Sequence, residues 1–461
     1  MFAAGLAALA FLQPARDQAV LSRTLVIAAV VLAVWTVALV ARARHRRRAL
    51  SLQVALKPQH YLQACAQGSV LAYWGWFWPP VYDQAWLIVA QLLFAYAFDM
   101  LLSWSRRGAY ALGFGPFPVI FSINLFLWFR PDYYYFQFLM VAAGFAAKDL
   151  LQWDREGRRA HIFNPSSFPL AVFGMALLLT GRSGLTWGAE IASTQFYPPY
   201  MYLFIFLVAL PGQLAFGVTT MTCSAVLAVY LFGVAYYTVT GVYFFYDSYV
   251  PIAVFLGMHL LFTDPSTSPR TDFGRVIFGI LYGLSTVALY QLLGTHGLPT
   301  FYDKLLQVPI LNLSVRAIDR FAVRARLLDP TAILHSFAPR QRRLAYVSIW
   351  AFVFAAVSAA GGVGDDHPGQ WLPFWKQACA DGRPHACRYV AGVQAAFCEQ
   401  GSEWACRANQ GNEPTGAAAL PTLADYAIVL RGSKGPVREQ TPAGLTALAC
   451  KEGWAHACAG P

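Results

Sequence analysis

The stretch "HLLFTDPSTSPRTDFGR" (259–275) follows one apolar run, "VPIAVFLG" (250–257), and leads at once into another, "VIFGILYGL" (276–284). Pro265 and Pro269 stiffen it, and Ser266, Thr267 and Ser268 supply hydroxyls. A rigid polar turn between two apolar segments suits a place where one membrane helix stops and the next restarts. At that depth no water satisfies the backbone, so side chains must. The fold therefore depends on whether the flanking runs are membrane segments.

Composition supports that. Of 461 residues, 57% are hydrophobic and only 12% charged, against about 25% charged in an ordinary soluble domain. A chain this apolar needs lipid around it. The net charge of +11 is read through the positive-inside rule rather than as a nucleic-acid footprint, because the basic clusters sit at the ends of apolar runs. A P-loop, a strand–helix GxGxxG unit and a Ser/His/Asp arrangement are all missing from the sequence.

A spanning helix needs roughly 20 apolar residues. Candidates fall at 24–41, 63–79, 86–104, 114–129, 134–150, 164–180, 200–216, 218–238, 250–263, 275–294, 303–318 and 344–362. The expected fold is an all-α polytopic membrane protein of about twelve spans. Several runs are short or broken by Pro or Gly, as in half-helices shielded by neighbouring protein. "RARHRRR" (42–48) sets the end of the first span inside the cell, and the Arg-rich stretch 316–343 falls on the same side. The first 15 residues read as an exposed or interfacial N-terminus. The divisions are a 1–58 N-terminal segment, a 59–320 membrane core, a 321–362 basic loop with the last span, and a 363–461 extracytoplasmic domain. The implied location is a bacterial inner membrane.

Six of the eight cysteines lie in that last region. They form pairs of one spacing: Cys379/Cys387, Cys398/Cys406 and Cys450/Cys458, as in "ACADGRPHAC" and "ACKEGWAHAC". Glycine in mid-motif suits a helix C-cap and sharp turn, so that two short helices meet with a cysteine on each. Three local disulfides are expected outside the cell, with zinc as the rival reading. The spacing resembles that of disulfide-stapled Sel1-like helical repeats. Cys65 and Cys223, inside spans, read as small buried hydrophobes.

Two turns share a chemistry: "FNPSSFP" (163–169) and "TDPSTSP" (263–269), 100 residues apart. In each, Asn164 or Asp264 can cap a helix whose first turn carries Pro. Ser166, Ser167, Ser266, Thr267 and free backbone N–H groups would form donor-rich ends attractive to phosphate, carboxylate or a reduced flavin. Ordinary capping is the other reading.

These turns resemble those of the NqrB/RnfD family, the membrane subunits shared by the sodium-pumping NADH:quinone oxidoreductase and the Rnf complex. Asp264, Pro265, Ser266 and Thr267 match its "TDP" turn, Gly274, Arg275, Gly279 and Gly283 its next helix, and "FNPSS" its earlier turn. Asn312, Ile318 and Asp319 fit the last core helix, although Arg316 stands where Pro is expected. RnfD-like proteins encoded among enediyne biosynthesis genes are similar too. The resemblance implies a ten-helix, urea-transporter-like core with flavin (FMN or riboflavin). In the family FMN is attached to the last Thr of an S-G-A-T-like motif. Here "GRSGLTWGAEIASTQFYPP" (181–199) offers Thr186 after Ser183-Gly184-Leu185, and later Thr194. Neither reproduces the motif, which implies non-covalent flavin.

Asp99 and Lys148-Asp149 are costly in lipid and should face a cavity or one another; lying near the inner ends of their spans, they can equally snorkel to the interface. His259 reads as a hydrogen-bonded core residue. On the resemblance, the chain is an electron-transfer subunit moving electrons to or from an extracytoplasmic partner. Asn164, Ser166, Ser167, Asp264, Ser266, Thr267, Arg275 and Thr186 would hold the flavin, and other redox subunits would supply NADH chemistry. The alternatives are a small-solute transporter of the same architecture without flavin, and a scaffold docking a partner through the cysteine-rich cap. Membrane lipid is a partner on every reading; nucleic acid is a partner on none.

Overall fold

Helices are the only way these apolar runs can satisfy their own backbone, and each of the candidate runs contains one. The computed structural model describes residues 1–399 except 156, 197, 246–247, 365–366, 368 and 370–371, together with 406 and 410. The chain divides into two compact units. The larger comprises Met1–Ala192, Phe204–Ala228 and Ala253–Phe352; the smaller comprises Ser193–Leu203, Val229–Ile252 and the chain from Val353 on.

In chain order, α1 (Phe2–Leu9) and α2 (Gln13–Arg16) precede the long α3 (Ala19–His45). Next come α4 (Pro58–Phe77), α5 (Pro80–Asp83) and α6 (Ala85–Arg107), then α7 (Pro116–Phe126), α8 (Tyr135–Leu150), α9 (Ser167–Leu179) and α10 (Gly188–Thr194). The remainder are α11 (Met201–Phe216), α12 (Thr219–Thr240), α13 (Ile252–Leu260), α14 (Asp272–Thr295), α15 (Val308–Arg324), α16 (Pro339–Ala359), α17 (Leu372–Ala380) and α18 (Pro384–Glu399). Five helices, α3, α6, α12, α14 and α16, are long and apolar enough to cross a membrane. Three shorter apolar helices, α7, α9 and α11, accompany them. This is a multi-pass helical membrane protein.

The N-terminal segment packs along one side and leaves Met1, Phe11 and Leu12 exposed. Leu6 and Ala15 are fully buried, α1 lies on α3 and α6, and Phe2 stacks on Tyr96 with ring centroids 5.3 Å apart. A short parallel pair, β1 (Ser51–Val54) with β2 (Ala109–Leu112), ties together the chain leaving α3 and α6. An antiparallel pair, β3 (Gln152–Arg155) with β4 (Arg158–His161), leads into the first polar turn. Glycine permits two close approaches in the larger unit. A Cβ at Gly144 of α8 would strike the Pro165 carbonyl, and one at Gly279 of α14 would strike the Met221 carbonyl of α12.

Where α7 stops at Phe126 the chain runs extended through the buried residues Leu127, Trp128 and Phe129. Irregular backbone in such a place must find partners. Trp187 N donates to Trp128 O (2.7 Å) and Arg130 N to Leu185 O (2.9 Å), with Phe129 and Thr186 bridged between them. Phe129 N donates to Gln137 Oε1 at 3.0 Å.

In the smaller unit α17 and α18 form a helical hairpin joined by the Cys379–Cys387 disulfide. Gly382 takes the left-handed conformation in the turn (φ 80°), as the mid-motif glycine predicts. Trp375, Ala378 and Ala386 close a core with Val242 and Tyr243. Cys406 is also disulfide-bonded. The Cys398 side chain, Cys450 and Cys458 lie outside the described residues. Cys65 faces outward from α4 rather than into a core, and Cys223 is half-buried.

Candidate functional site

The two polar turns are brought together, and one residue locks them. Asn312 of α15 is 1% exposed. Its Oδ1 accepts from Asn164 N (3.2 Å) and its Nδ2 donates to Thr267 O (3.1 Å). The turns are built alike. Asn164 Oδ1 accepts from Ser166 N (2.9 Å), Ser166 Oγ (2.8 Å) and Ser167 N (3.2 Å). Asp264 Oδ1 accepts from Ser266 N (2.9 Å), and Asp264 O accepts from Thr267 N (3.2 Å).

The donors expected to be free for an anion are thus consumed. Ser166 N and Ser167 N are held by Asn164 Oδ1, and Phe168 N by Asn164 O. Capping accounts for this turn. Asp264, moreover, caps a turn and not a helix. The next helix, α14, starts only at Asp272, and its N-cap is Thr271, whose Oγ1 accepts from Gly274 N. Asp319 of α15 accepts from Arg270 N (3.0 Å), Thr271 N (3.3 Å) and Thr271 Oγ1 (3.2 Å), which positions that cap.

The half-helix α13 ends against the same place. Leu260 O accepts from Gln67 Nε2 (3.1 Å) and Ser122 Oγ (3.3 Å), and Leu261 O from Asn164 Nδ2 (2.9 Å). Around these groups lies a cavity of about 80 Å³. Gln59, His60, Gln63 and Gln67 of α4, Ser122 of α7, Lys148, His161, and the Asn164 and Asp264 turns line it. Its charges are paired: His161 Nε2 lies 3.3 Å from Asp264 Oδ2, and Lys148 Nζ lies 3.5 Å from Asp99. Burial pushes the Asp264 carboxyl up. The hydrogen bond and charge of His161, with the Ser266 N–H, outweigh that and hold it below its ordinary value. Gln67 Oε1 is buried without a partner.

Of the residues expected at the site, Asn164, Ser166, Asp264 and Ser266 line the cavity; Ser167, Thr267, Arg275 and Thr186 do not. Arg275 turns away, its guanidinium bonded to Gly217 O (2.7 Å), Pro269 O (3.0 Å) and Asp272 (3.3 Å). Thr186 Oγ1 donates to Ser183 O and accepts from Gly188 N within its own loop. Asp149 is engaged by Arg106 and Arg107. His259 Nδ1 donates to Phe255 O (2.7 Å) inside its own helix, a core role.

The glutamine track was missed in the sequence. Gln59, Gln63 and Gln67 recur every fourth residue, one face of α4. Two buried polar groups elsewhere were missed as well. Gln91 joins two other amides: it exchanges hydrogen bonds with Asn124 (3.0 and 2.9 Å), and its Oε1 also accepts from Gln137 Nε2 (3.0 Å). Asp303 and Lys304 pair at 2.9 Å with both side chains nearly inaccessible.

The fit of a flavin follows from these dimensions. Small-molecule pockets are typically about 300–1,000 Å³, so a space of about 80 Å³ does not accept a tricyclic ring between the two turns. The N–H groups that would hold it are already bonded. Among the described residues no cluster of metal-ligating side chains occurs. Comparison with family models, curated proteins and solved structures finds no match.

Proposed function

We propose that the larger unit passes a small, neutral polar solute across the membrane, through the cavity between the two locked turns. The observation that carries this reading is the polar, charge-paired lining at a volume of about 80 Å³, with Gln67 Oε1 buried and unpartnered. Water takes a share of about 30 Å³ in the liquid, so the space suits a solute of a few heavy atoms.

The chemistry follows from the amides. Gln67 is oriented by its Nε2, which donates to Ser122 Oγ (2.7 Å) and Leu260 O (3.1 Å). Its Oε1 is then an acceptor fixed in place for an N–H or O–H of the solute. A carboxamide lining can replace water's hydrogen bonds for a neutral molecule but cannot compensate the desolvation of a bare ion. The prediction is that proteoliposomes swell faster than protein-free vesicles in gradients of small amides or polyols. Gln67→Leu should slow this severalfold without changing the protein's yield or dispersity. Swelling no faster than that of empty vesicles would overturn the reading.

A flavin-dependent electron-transfer subunit is the second reading. It is favoured by the Asn312 lock, since the resemblance draws together the same two turns and an Asn of the last core helix. On that reading the flavin binds away from the cavity, and the smaller unit meets an extracytoplasmic redox partner. A flavin band in the visible spectrum of gently purified protein would put this reading first; a colourless, folded protein would remove it.

A further inference from the structure

We infer that the larger unit holds one anionic phospholipid by its phosphate, in the basic cavity at the ends of α3 and α6. This cavity, about 250 Å³, is lined by Arg42, Arg46 and Arg48 with Trp35 and Trp104. Both helices are long and apolar enough to cross the bilayer. Their basic ends therefore lie at the level of lipid headgroups, where tryptophan also concentrates.

The bland explanation is that arginines at a helix C-terminus simply offset its carbonyls. Arg48 does so, donating to Arg106 O at 3.4 Å. Arg42 and Arg46 do not: among the described residues neither side chain has a hydrogen bond, ion pair or ring partner. No carboxylate lines the cavity. Two permanently charged arginines thus line the cavity with no carboxylate among its walls, and the planar N–H fork of a guanidinium matches a phosphate. The tryptophans that wall the space are fixed by their own bonds. Trp35 Nε1 donates to Ser105 Oγ (3.2 Å) and Trp104 Nε1 to Ser51 O (2.8 Å). The chain also turns sharply here through Arg47, a non-glycine residue at φ 51°. This closes α3 by bonding Arg48 N to Ala43 O and returns Arg48 to the cavity wall.

The cavity thus selects the shared chemistry of phosphate, and its place at the span ends assigns the source to lipid. A second, larger cavity at the starts of α14 and α16 makes a useful contrast. There Arg342 is already paired with Asp272 (3.3 Å) and His335 with Asp329 (3.6 Å), so it offers a phosphate less.

Native mass spectrometry of the full-length protein in detergent, titrated with phosphatidylglycerol or phosphatidylcholine of the same acyl chains, tests this. The first phosphatidylglycerol should bind at least tenfold more tightly than phosphatidylcholine. Arg42→Gln and Arg46→Gln should each weaken it about fivefold, as expected for a basic group at a membrane surface. Arg340→Gln, basic but outside the cavity, should leave it unchanged. Inorganic phosphate should not displace the lipid. Equal binding of the two lipids, or an effect of Arg340→Gln as large as that of Arg46→Gln, overturns the proposal. Displacement by inorganic phosphate shows a free-anion site and overturns it too. The comparison of lipids on unaltered protein decides the matter even if a double variant fails to fold.

Discussion

Replacing Asn312 by Ala tests the lock between the two turns. The side chain makes two hydrogen bonds, to Asn164 N and Thr267 O, and both partners are backbone groups of buried residues. Interhelical side-chain bonds in membrane proteins average about 0.6 kcal/mol and reach about 1.7, because the unfolded chain in a membrane also finds partners. An orphaned buried backbone group costs more, about 1–3 kcal/mol. Asn312→Ala orphans two, so the orphaning term dominates and a loss of about 2–4 kcal/mol is expected. Asn312→Asp separates the two bonds: it keeps the acceptor for Asn164 N but turns an oxygen toward Thr267 O, and should cost at least as much as Ala at neutral pH. Equilibrium unfolding in mixed micelles measures both, with Thr295→Ala as the control, since its exposed hydroxyl bonds only within its own turn, to Leu292 O and His296 Nδ1. A loss for Asn312→Ala no larger than that of the control would refute the reasoning.

Asp264 gives a pH prediction. Its folded carboxyl is held below its ordinary value, so its stabilisation is present above about pH 4, the unfolded value, and disappears as pH falls through the folded one. Asp264→Asn should therefore be less stable than the parent at pH 7, and acid titration should show the two curves converging as pH falls below about 4. His367 runs in a higher window. Burial pushes it from 6.5 down to about 4, and it sits between the Tyr243 and Tyr249 rings. The unfolded chain takes up the proton first, so on the order of 3 kcal/mol is lost between pH 6.5 and 4. Near-UV circular dichroism of the full chain should show that loss, and His367→Phe should flatten it. Opening the Cys379–Cys387 loop, eight residues in sequence separation, with Cys379→Ser/Cys387→Ser should destabilise the hairpin by roughly 2–3 kcal/mol. Protease susceptibility between α17 and α18 reports it.

Legibility in the sequence varied with how far each signal reaches. The apolar runs are local and continuous, so helices appeared wherever hydropathy placed a candidate span; their ends shifted where caps decided them, as at Thr271. The glycine-centred cysteine motif is equally local, and the Cys379–Cys387 hairpin followed from it. The two turns were visible because Pro and hydroxyls cluster there. What they do was not, because the fate of the Ser166 and Ser167 N–H groups rests on one oxygen of Asn164, and the turns' juxtaposition rests on Asn312, 148 residues from Asn164. The glutamine track of α4 was hidden by averaging: three amides in twenty residues scarcely lower a hydropathy window. Only their fourfold spacing marks them. Arg275 looked functional by position in a motif, yet it is held by Pro269 O and by Asp272 one turn away, and by Gly217 O; only that last, 58 residues distant, left no trace in the local sequence.

The extended crossing of residues 127–130 with 185–187 also dictates an order of events during biogenesis. At 11 residues, α7 is about 17 Å long, little more than half of a hydrocarbon core of about 30 Å. Leaving the translocation machinery alone, it would carry the unpaired backbone of Leu127–Phe129 into lipid. Its partner, Leu185–Trp187, emerges only after α8 and α9 have been made. The first half of the larger unit must therefore be held at the insertion site, by the machinery or by α6, until α9 has crossed. With a cysteine introduced at Ser122 of α7, a nascent chain arrested shortly after residue 150 should keep that position accessible to aqueous thiol reagents, whereas one arrested well past residue 194 should bury it.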